Sequence, residues 1–237
     1  MQLYTGTSGF SYKEWKGPFY PADLPAREML RYYSAQLPAV EINNTFYRMP
    51  GPDMLQNWIE QVPAEFRFVL KAPRRITHTK PLIDKADEIA YLCRTAATLG
   101  DRLGAILFQL PPYLRADAGL LAAFLEQLPP DIRAVFEFRH TSWFEDPIYE
   151  LLHQKGSALC WADGDKPEHT CRIATADWGY LRLRRQAYTP AELREWAHHI
   201  EKQAWQTVFA FFKHEEAGTG PKLASQFRAL MSIDEGE

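Results

Sequence analysis

Short runs of apolar and β-branched residues alternate along the chain with segments whose apolar residues recur every three or four positions. This alternation predicts strands separated by amphipathic helices, as in a parallel sheet. Gln2–Ser8 reads as the first strand. Pro25–Leu37 places Met29, Leu30, Tyr33 and Leu37 on one helical face, with Asp23 and Pro25 as its start signal. Ala39–Asn43 is the second strand, and Asp53–Val62 is a helix presenting Leu55, Trp58, Ile59 and Val62. Arg67–Ala72 is the third strand, followed by a helix over Ala86–Leu99. Gly104–Leu110 is almost wholly apolar, as expected of a strand buried on both faces. Asp117 caps a helix carrying Leu120, Leu121, Phe124, Leu125 and Leu128.

Arg133–Phe138 is the fifth strand, and the next helix opens at Asp146-Pro147 and closes at Gly156. Ser157–Ala162, Gly179–Leu183 and Thr207–Phe212 complete the set of strands. Thr189-Pro190-Ala191-Glu192 is a capping box with proline at the first helical position, starting a helix through Ala204. Gly164–Trp178 lacks a helical period and is expected to be an irregular loop. Eight strands with helices between them in 237 residues, with no linker and no low-complexity tract, predict an α/β fold. Its form is a TIM-like (β/α)8 barrel, one domain over residues 1–237. An open doubly wound sheet is the alternative, but Gly6-Thr7-Ser8-Gly9 lacks the G-x-G-x-x-G spacing of a dinucleotide turn.

No apolar run is long enough to cross a bilayer, and the first residues lack the pattern of a signal peptide, so a cytoplasmic protein without membrane contact is expected. The apolar share of 46% and charged share of 24% suit a globular chain. A net charge of −3 argues against a general polyanion binder, so any anion site must be local. Cys93, Cys160 and Cys171 form no CxxC pair and are expected to be small buried hydrophobes.

In a barrel, chemistry belongs at the carboxyl ends of the strands. Polar residues gather there: Ser8, Glu41 and Asn43, Lys71, Gln109, Glu137 and Arg139, Asp163, Arg182 and Arg184, and Lys213-His214-Glu215. Parity sets Glu137 opposite Phe136 and Phe138, and sets Arg182 and Arg184 opposite Leu181 and Leu183, which turns the charges toward the barrel interior. Buried charges need partners, so Glu137 and Arg182 are expected to pair in the mouth.

The segment from Lys71 to Lys80 holds Lys71, Arg74, Arg75, His78 and Lys80 with no acidic residue. Aromatic residues collect in the loops of the same face. Basic groups interleaved with aromatic faces suit a phosphate-bearing ligand whose base or sugar can stack, such as a nucleotide or single-stranded nucleic acid. In this reading Lys71, Arg74, Arg75, His78, Arg139, Arg182, Asn43 and Asp163 line the ligand. Tyr12, Trp15, Tyr47 and Trp143 offer stacking surfaces, and Glu41 with Glu137 form the acid–base pair of a hydrolytic reaction. Two other readings stand beside it: a carbohydrate-binding or carbohydrate-processing barrel using Glu41 and Glu137, and a non-enzymatic protein whose mouth is an ion-pair network with aromatics packing the loops. His78, His140, His214, Glu41, Glu137 and Asp163 are metal-ligating types, but no HExxH, CxxC or Ca²⁺-loop spacing occurs, so no metal site is expected and no cofactor is indicated. The absence of a Gly-x-Ser-x-Gly elbow and a P-loop argues against serine acyl transfer and Walker-type hydrolysis.

Five blocks in order resemble the YecE-like family, domain of unknown function 72: GTSGFSYKEWKGPFYP at Gly6–Pro21, EINNTFYRMP at Glu41–Pro50, FRFVLKAPRRITH at Phe66–His78, ILFQLPP at Ile106–Pro112 and FEFRHTSWF at Phe136–Phe144. The resemblance covers nearly the whole chain and implies a TIM-barrel architecture. It implies no established reaction. A likeness in shape between that family and metal-dependent endonuclease barrels implies nucleic-acid binding at the level of fold only. Two asparagines often follow the eighth strand in the family, where Lys213-His214 stand here, so nothing resting on those amides is carried over.

Overall fold

The computed structural model describes residues 1–163, 171–213 and 216–233. Nine strands, all parallel, run among the described residues: β1 Gln2–Ser8, β2 Ala39–Ile42, β3 Arg67–Lys71, β4 Leu103–Gln109, β5 Ala134–Glu137, β6 Ala158–Leu159, β7 Trp161–Ala162, β8 Trp178–Leu183 and β9 Thr207–Phe212. Their order is β6-β5-β4-β3-β2-β1-β9-β8-β7, a nearly closed barrel, as the alternation predicts. The helices are α1 Met29–Gln36, α2 Pro52–Ile59, a single turn α3 Arg74–Thr77, α4 Ala86–Ala96, α5 Ala118–Leu125, α6 Asp146–Gln154, α7 Pro190–Glu201 and α8 Thr219–Ile233. No described helix is long and apolar enough to cross a membrane.

The sixth expected strand is broken at Cys160. Its first half pairs with β5 and its second half with β8, so this segment is the seam at which the sheet closes. Five expected helices are trimmed, Asp53–Val62 ending at Ile59 and the Asp117-capped helix at Leu125. Pro25–Leu37 begins as a 3-10 turn at Ala26–Glu28 without an Asp23 cap, and Ala86–Leu99 passes into a 3-10 turn after Ala96, with Gly100 at φ 54°. The helix from the capping box ends at Glu201. The Asp117 cap is present, Oδ1 accepting from Leu120 N at 2.9 Å, and so is the Thr189–Glu192 capping box. Residues 171–177 form no regular element; the rest of the expected loop, 164–170, lies outside the described residues.

Two cores divide the apolar residues by parity. Residues such as Phe68, Ile106, Phe136 and Leu181 pack between strands and helices. Inside the barrel, large aromatic residues of β1, β8 and β9 (Tyr4, Tyr180, Phe209, Phe211) face alanines of β2, β4, β6 and β7. Tyr4 and Phe209 stack at 5.1 Å. This large-to-small complementarity fills the lower barrel and confines polar side chains to its upper end. Cys93 and Cys160 are buried as expected, whereas Cys171 is only partly buried and lies 3.2 Å from Tyr149 Oη.

The fully buried Tyr33 on α1 ties β1 to β2: its hydroxyl accepts from Thr7 N at 2.8 Å and donates to Ala39 O at 2.9 Å. Tyr33→Phe removes both of these hydrogen bonds from a fully buried site. The expected loss is about 1–3 kcal/mol in urea unfolding, with an unchanged denaturant slope; a loss below about 0.5 kcal/mol contradicts this role for the hydroxyl.

Candidate functional site

Glu41 at the end of β2, Glu137 at the end of β5 and Arg182 in β8 meet inside the barrel mouth, 0%, 1% and 3% exposed. Arg182 Nη2 donates to Glu41 Oε1 at 2.8 Å, and Nη1 donates to Glu137 Oε2. One guanidinium therefore bridges two carboxylates from opposite sides of the barrel. Each carboxylate has further partners. Tyr180 Oη donates to Glu41 Oε2 at 2.6 Å and Asn43 Nδ2 to Glu41 Oε1 at 3.0 Å. Arg139 Nε lies 2.8 Å and Arg184 Nη1 3.5 Å from Glu137 Oε1.

Burial alone would raise both carboxyl pKa values. The positive charge of Arg182, joined by Tyr180 at Glu41 and by Arg139 and Arg184 at Glu137, outweighs it. Glu41 is held below its ordinary value and Glu137 down to about 2. Burial would likewise weaken Arg182 as a base, but Glu137 and Glu41 hold it well above its ordinary value. All three groups are charged at neutral pH. Neither glutamate has a proton to exchange near neutrality, and Arg182 fills the space between them, where a glycosidic bond would have to lie. The two carboxylates expected to act as an acid–base pair are brought together by Arg182 in one ion-pair centre.

Lys71, at the end of β3 and on the same parity as the interior Val69, is partly buried. Its Nζ lies 4.5 Å from the centre of the Phe46 ring. Its backbone is fixed from two sides, Thr45 Oγ1 donating to Lys71 O at 2.7 Å and Ala72 N donating to Leu107 O at 2.8 Å. Among the described residues the ammonium group makes no hydrogen bond and no ion pair. Burial and then the charge of Arg182 push its pKa down to about 8, against the pull of Glu41 and Glu137. His78 packs edge-on against the same Phe46 ring at 4.9 Å. Burial, then the charges of Lys71 and Arg74, lower its pKa.

Asp163 anchors the loop after β8: its carboxylate accepts from Arg184 N at 2.6 Å and from the Tyr188 hydroxyl. Burial raises its pKa against those bonds. Both of its oxygens are therefore engaged by the protein rather than presented to a ligand. Arg74 and Arg75 are exposed on α3. With Arg48, Tyr47 and Tyr91 they line a hollow of about 270 Å³ at the rim, and Tyr47 is 76% exposed. A second cavity of about 380 Å³, lined by Phe10, Tyr12, Trp58, Asn43 and Asn44 among others, opens beside Glu41 through Asn43.

Two of the four expected stacking residues are corrected. Trp15 and Trp143 are fully buried: Trp15 packs with Tyr12, Phe19 and Tyr20, and Trp143 stacks on Phe138 at 4.7 Å with its Nε1 donating to Leu114 O. They fasten long loops to the barrel and have no face to offer a ligand. Tyr12 and Tyr47 remain at cavities. Tyr180, Arg184 and Phe46 belong to the mouth although they stand outside the expected set of ligand contacts. Parity with Arg182 marks the first two; no sequence signal places Phe46 beneath Lys71. His140 is engaged with Ser142 at 2.9 Å, and His214 and Glu215 lie outside the described residues. No group of three His, Cys, Asp or Glu among the described residues is arranged to hold a metal ion.

The family model described as protein of unknown function DUF72 matches residues 4–237. The UPF0759 protein YunF of Bacillus subtilis is 24% identical over 98% of this chain and 95% of its own length. The UPF0759 protein YecE of Escherichia coli is 30% identical over 60% of this chain and 54% of its own length. Among solved structures, a DUF72 family protein from Thermotoga maritima superposes with a TM-score of 0.88 at 26% identity, covering 98% of this chain and all of that one. One from Enterococcus faecalis, 19% identical, covers 98% of both chains with a TM-score of 0.79 and shares the fold.

Proposed function

Because the chain belongs to the DUF72 family, whose description names no activity, we propose from the geometry that the barrel mouth binds an anionic, phosphate-bearing ligand. The observation that carries this reading is the charge imbalance around Lys71. Lys71, Arg139, Arg182 and Arg184 face two carboxylates, Glu41 and Glu137, leaving a surplus of two positive charges among these residues. An anion seated against Lys71 and Arg139 would offset this positive surplus. In so sheltered a position it would form charge-assisted hydrogen bonds stronger than those at an open surface.

The rim hollow extends this reading. Arg48, Arg74 and Arg75 carry positive charge beyond the mouth beside the exposed Tyr47 and half-exposed Tyr91. This favours a ligand that continues outward, a nucleotide or a short single strand, over a lone ion. The buried carboxylates are assigned no acid–base work, which sets the carbohydrate-processing reading behind this one.

Titration calorimetry with inorganic pyrophosphate and with a short single-stranded oligonucleotide tests the proposal. Lys71→Met is expected to weaken pyrophosphate binding about ten-fold or more, the worth of one charge-assisted hydrogen bond. Arg74→Ala with Arg75→Ala is expected to weaken the oligonucleotide more than pyrophosphate and to flatten its salt dependence. Binding that ignores both salt and Lys71→Met contradicts the proposal.

A further inference from the structure

We infer that Lys71 is a carbonyl-reactive amine, and that the anionic ligand of the mouth carries an aldehyde or ketone with which Lys71 Nζ condenses to an imine. The inference rests on the anion-binding reading and deepens it by naming the reactive group of the ligand.

Its geometric basis is the unusual solitude of this ammonium group. A lysine at the upper end of a barrel strand ordinarily finds a carboxylate, and two lie in the same mouth. Both are taken by Arg182, with Arg139 and Arg184 as further partners of Glu137. Lys71 is left with the π face of Phe46 on one side and guanidinium groups nearby. Partial burial next to other cations is the arrangement that turns a lysine from a salt-bridge donor into a nucleophile. With a pKa of about 8, its neutral fraction at pH 7 is some hundreds of times that of a lysine with an ordinary value. The backbone clamp from Thr45 and Leu107 fixes where the side chain leaves the strand, and the Phe46 ring lies against its ammonium end.

The step balances without a redox partner. The Nζ lone pair attacks the carbonyl carbon, and the C–O π pair moves to oxygen, which takes up a proton. The nitrogen releases a proton, and the carbinolamine loses water to leave the C=N bond; amine plus carbonyl gives imine plus water. His78 packs on the same Phe46 ring, with its pKa lowered by burial and by the charges of Lys71 and Arg74, and would carry that proton. Arg139 and Arg184 would hold the ligand's phosphate or carboxylate while the bond forms.

The test uses glyoxylate, a small anionic aldehyde, and propanal, its uncharged counterpart. Each is incubated with the full chain and sodium cyanoborohydride near pH 7, and the adduct is located by peptide mass spectrometry. Glyoxylate is expected to label Lys71 once per chain, about ten-fold or more faster than exposed lysines such as Lys13 and Lys202. It should label Lys71 faster than propanal does, and inorganic pyrophosphate should slow it. Lys71→Arg should abolish that adduct while retaining pyrophosphate binding, because the charge is kept. Equal labelling of Lys71 and the exposed lysines, with salt-sensitive pyrophosphate binding intact, overturns the imine and leaves the anion reading standing. Rapid labelling of Lys71 by both aldehydes alike, without pyrophosphate binding, overturns the anion reading and with it the proposed ligand class.

Discussion

Arg182→Met is expected to destabilise the fold by about 3–5 kcal/mol in urea unfolding, the largest effect of any single substitution in the mouth. The guanidinium is the only group that touches both Glu41 and Glu137 among the described residues, and each carboxylate is at most 1% exposed. Removing it leaves two like charges facing one another away from water. Glu41 then keeps neutral partners such as Tyr180 and Asn43, whereas Glu137 keeps the cations Arg139 and Arg184. Much of the cost is that of unpaired charge rather than lost attraction, so it should not add to that of a second change. Glu137→Gln combined with Arg182→Met is expected to destabilise by less than the sum of the two alone, with a coupling of about 1–3 kcal/mol. Additive losses, or a loss below about 1 kcal/mol for Arg182→Met, would mean that the network carries little of the fold.

Acid unfolding is the second large effect. Glu137 is held at about 2 in the folded protein and Glu41 below its ordinary value, whereas unfolded glutamates titrate near 4.3. A depressed folded pKa gives stability that is complete above the unfolded value and is lost as pH falls through the folded one. Stability is therefore expected to fall between about pH 4.5 and 2, with Glu137 contributing roughly 3 kcal/mol of the drop. In Glu137→Gln this part of the slope should vanish, because that variant has no proton to gain there. Urea midpoints measured at pH 6, 4 and 3 check this. A variant that loses stability with acid as steeply as the wild type contradicts the assignment.

The barrel was legible in the sequence because each strand carries its own apolar run and each helix its own period. Parity then sufficed to turn Glu137, Arg182 and Arg184 inward, since their apolar neighbours declare the helix side. The partner of Glu41 was not legible. It lies 141 positions away, and nothing local to either residue specifies that β2 and β8 face one another across the lumen. Loop aromatics were legible as a group but not one by one. A tryptophan in a loop reads alike whether it pins that loop down or greets a ligand, and Trp15 and Trp143 do the former. The break at Cys160 arises because one short strand must satisfy two neighbours at the seam, a demand of closure and not of its residues. The final helix, α8, was missed in the sequence although Leu223, Phe227 and Met231 stand at four-residue spacing, and the single turn α3 is too short to show a period.

The charge surplus at the mouth is most directly tested with an electron-dense phosphate mimic. Crystals grown with tungstate and measured at its absorption edge are expected to show one strong anomalous peak within hydrogen-bond distance of Lys71 Nζ and the Arg139 guanidinium. That peak should disappear in Lys71→Met crystals of the same form. Peaks confined to the outer surface, with none above the Glu41–Arg182–Glu137 centre, would contradict the account.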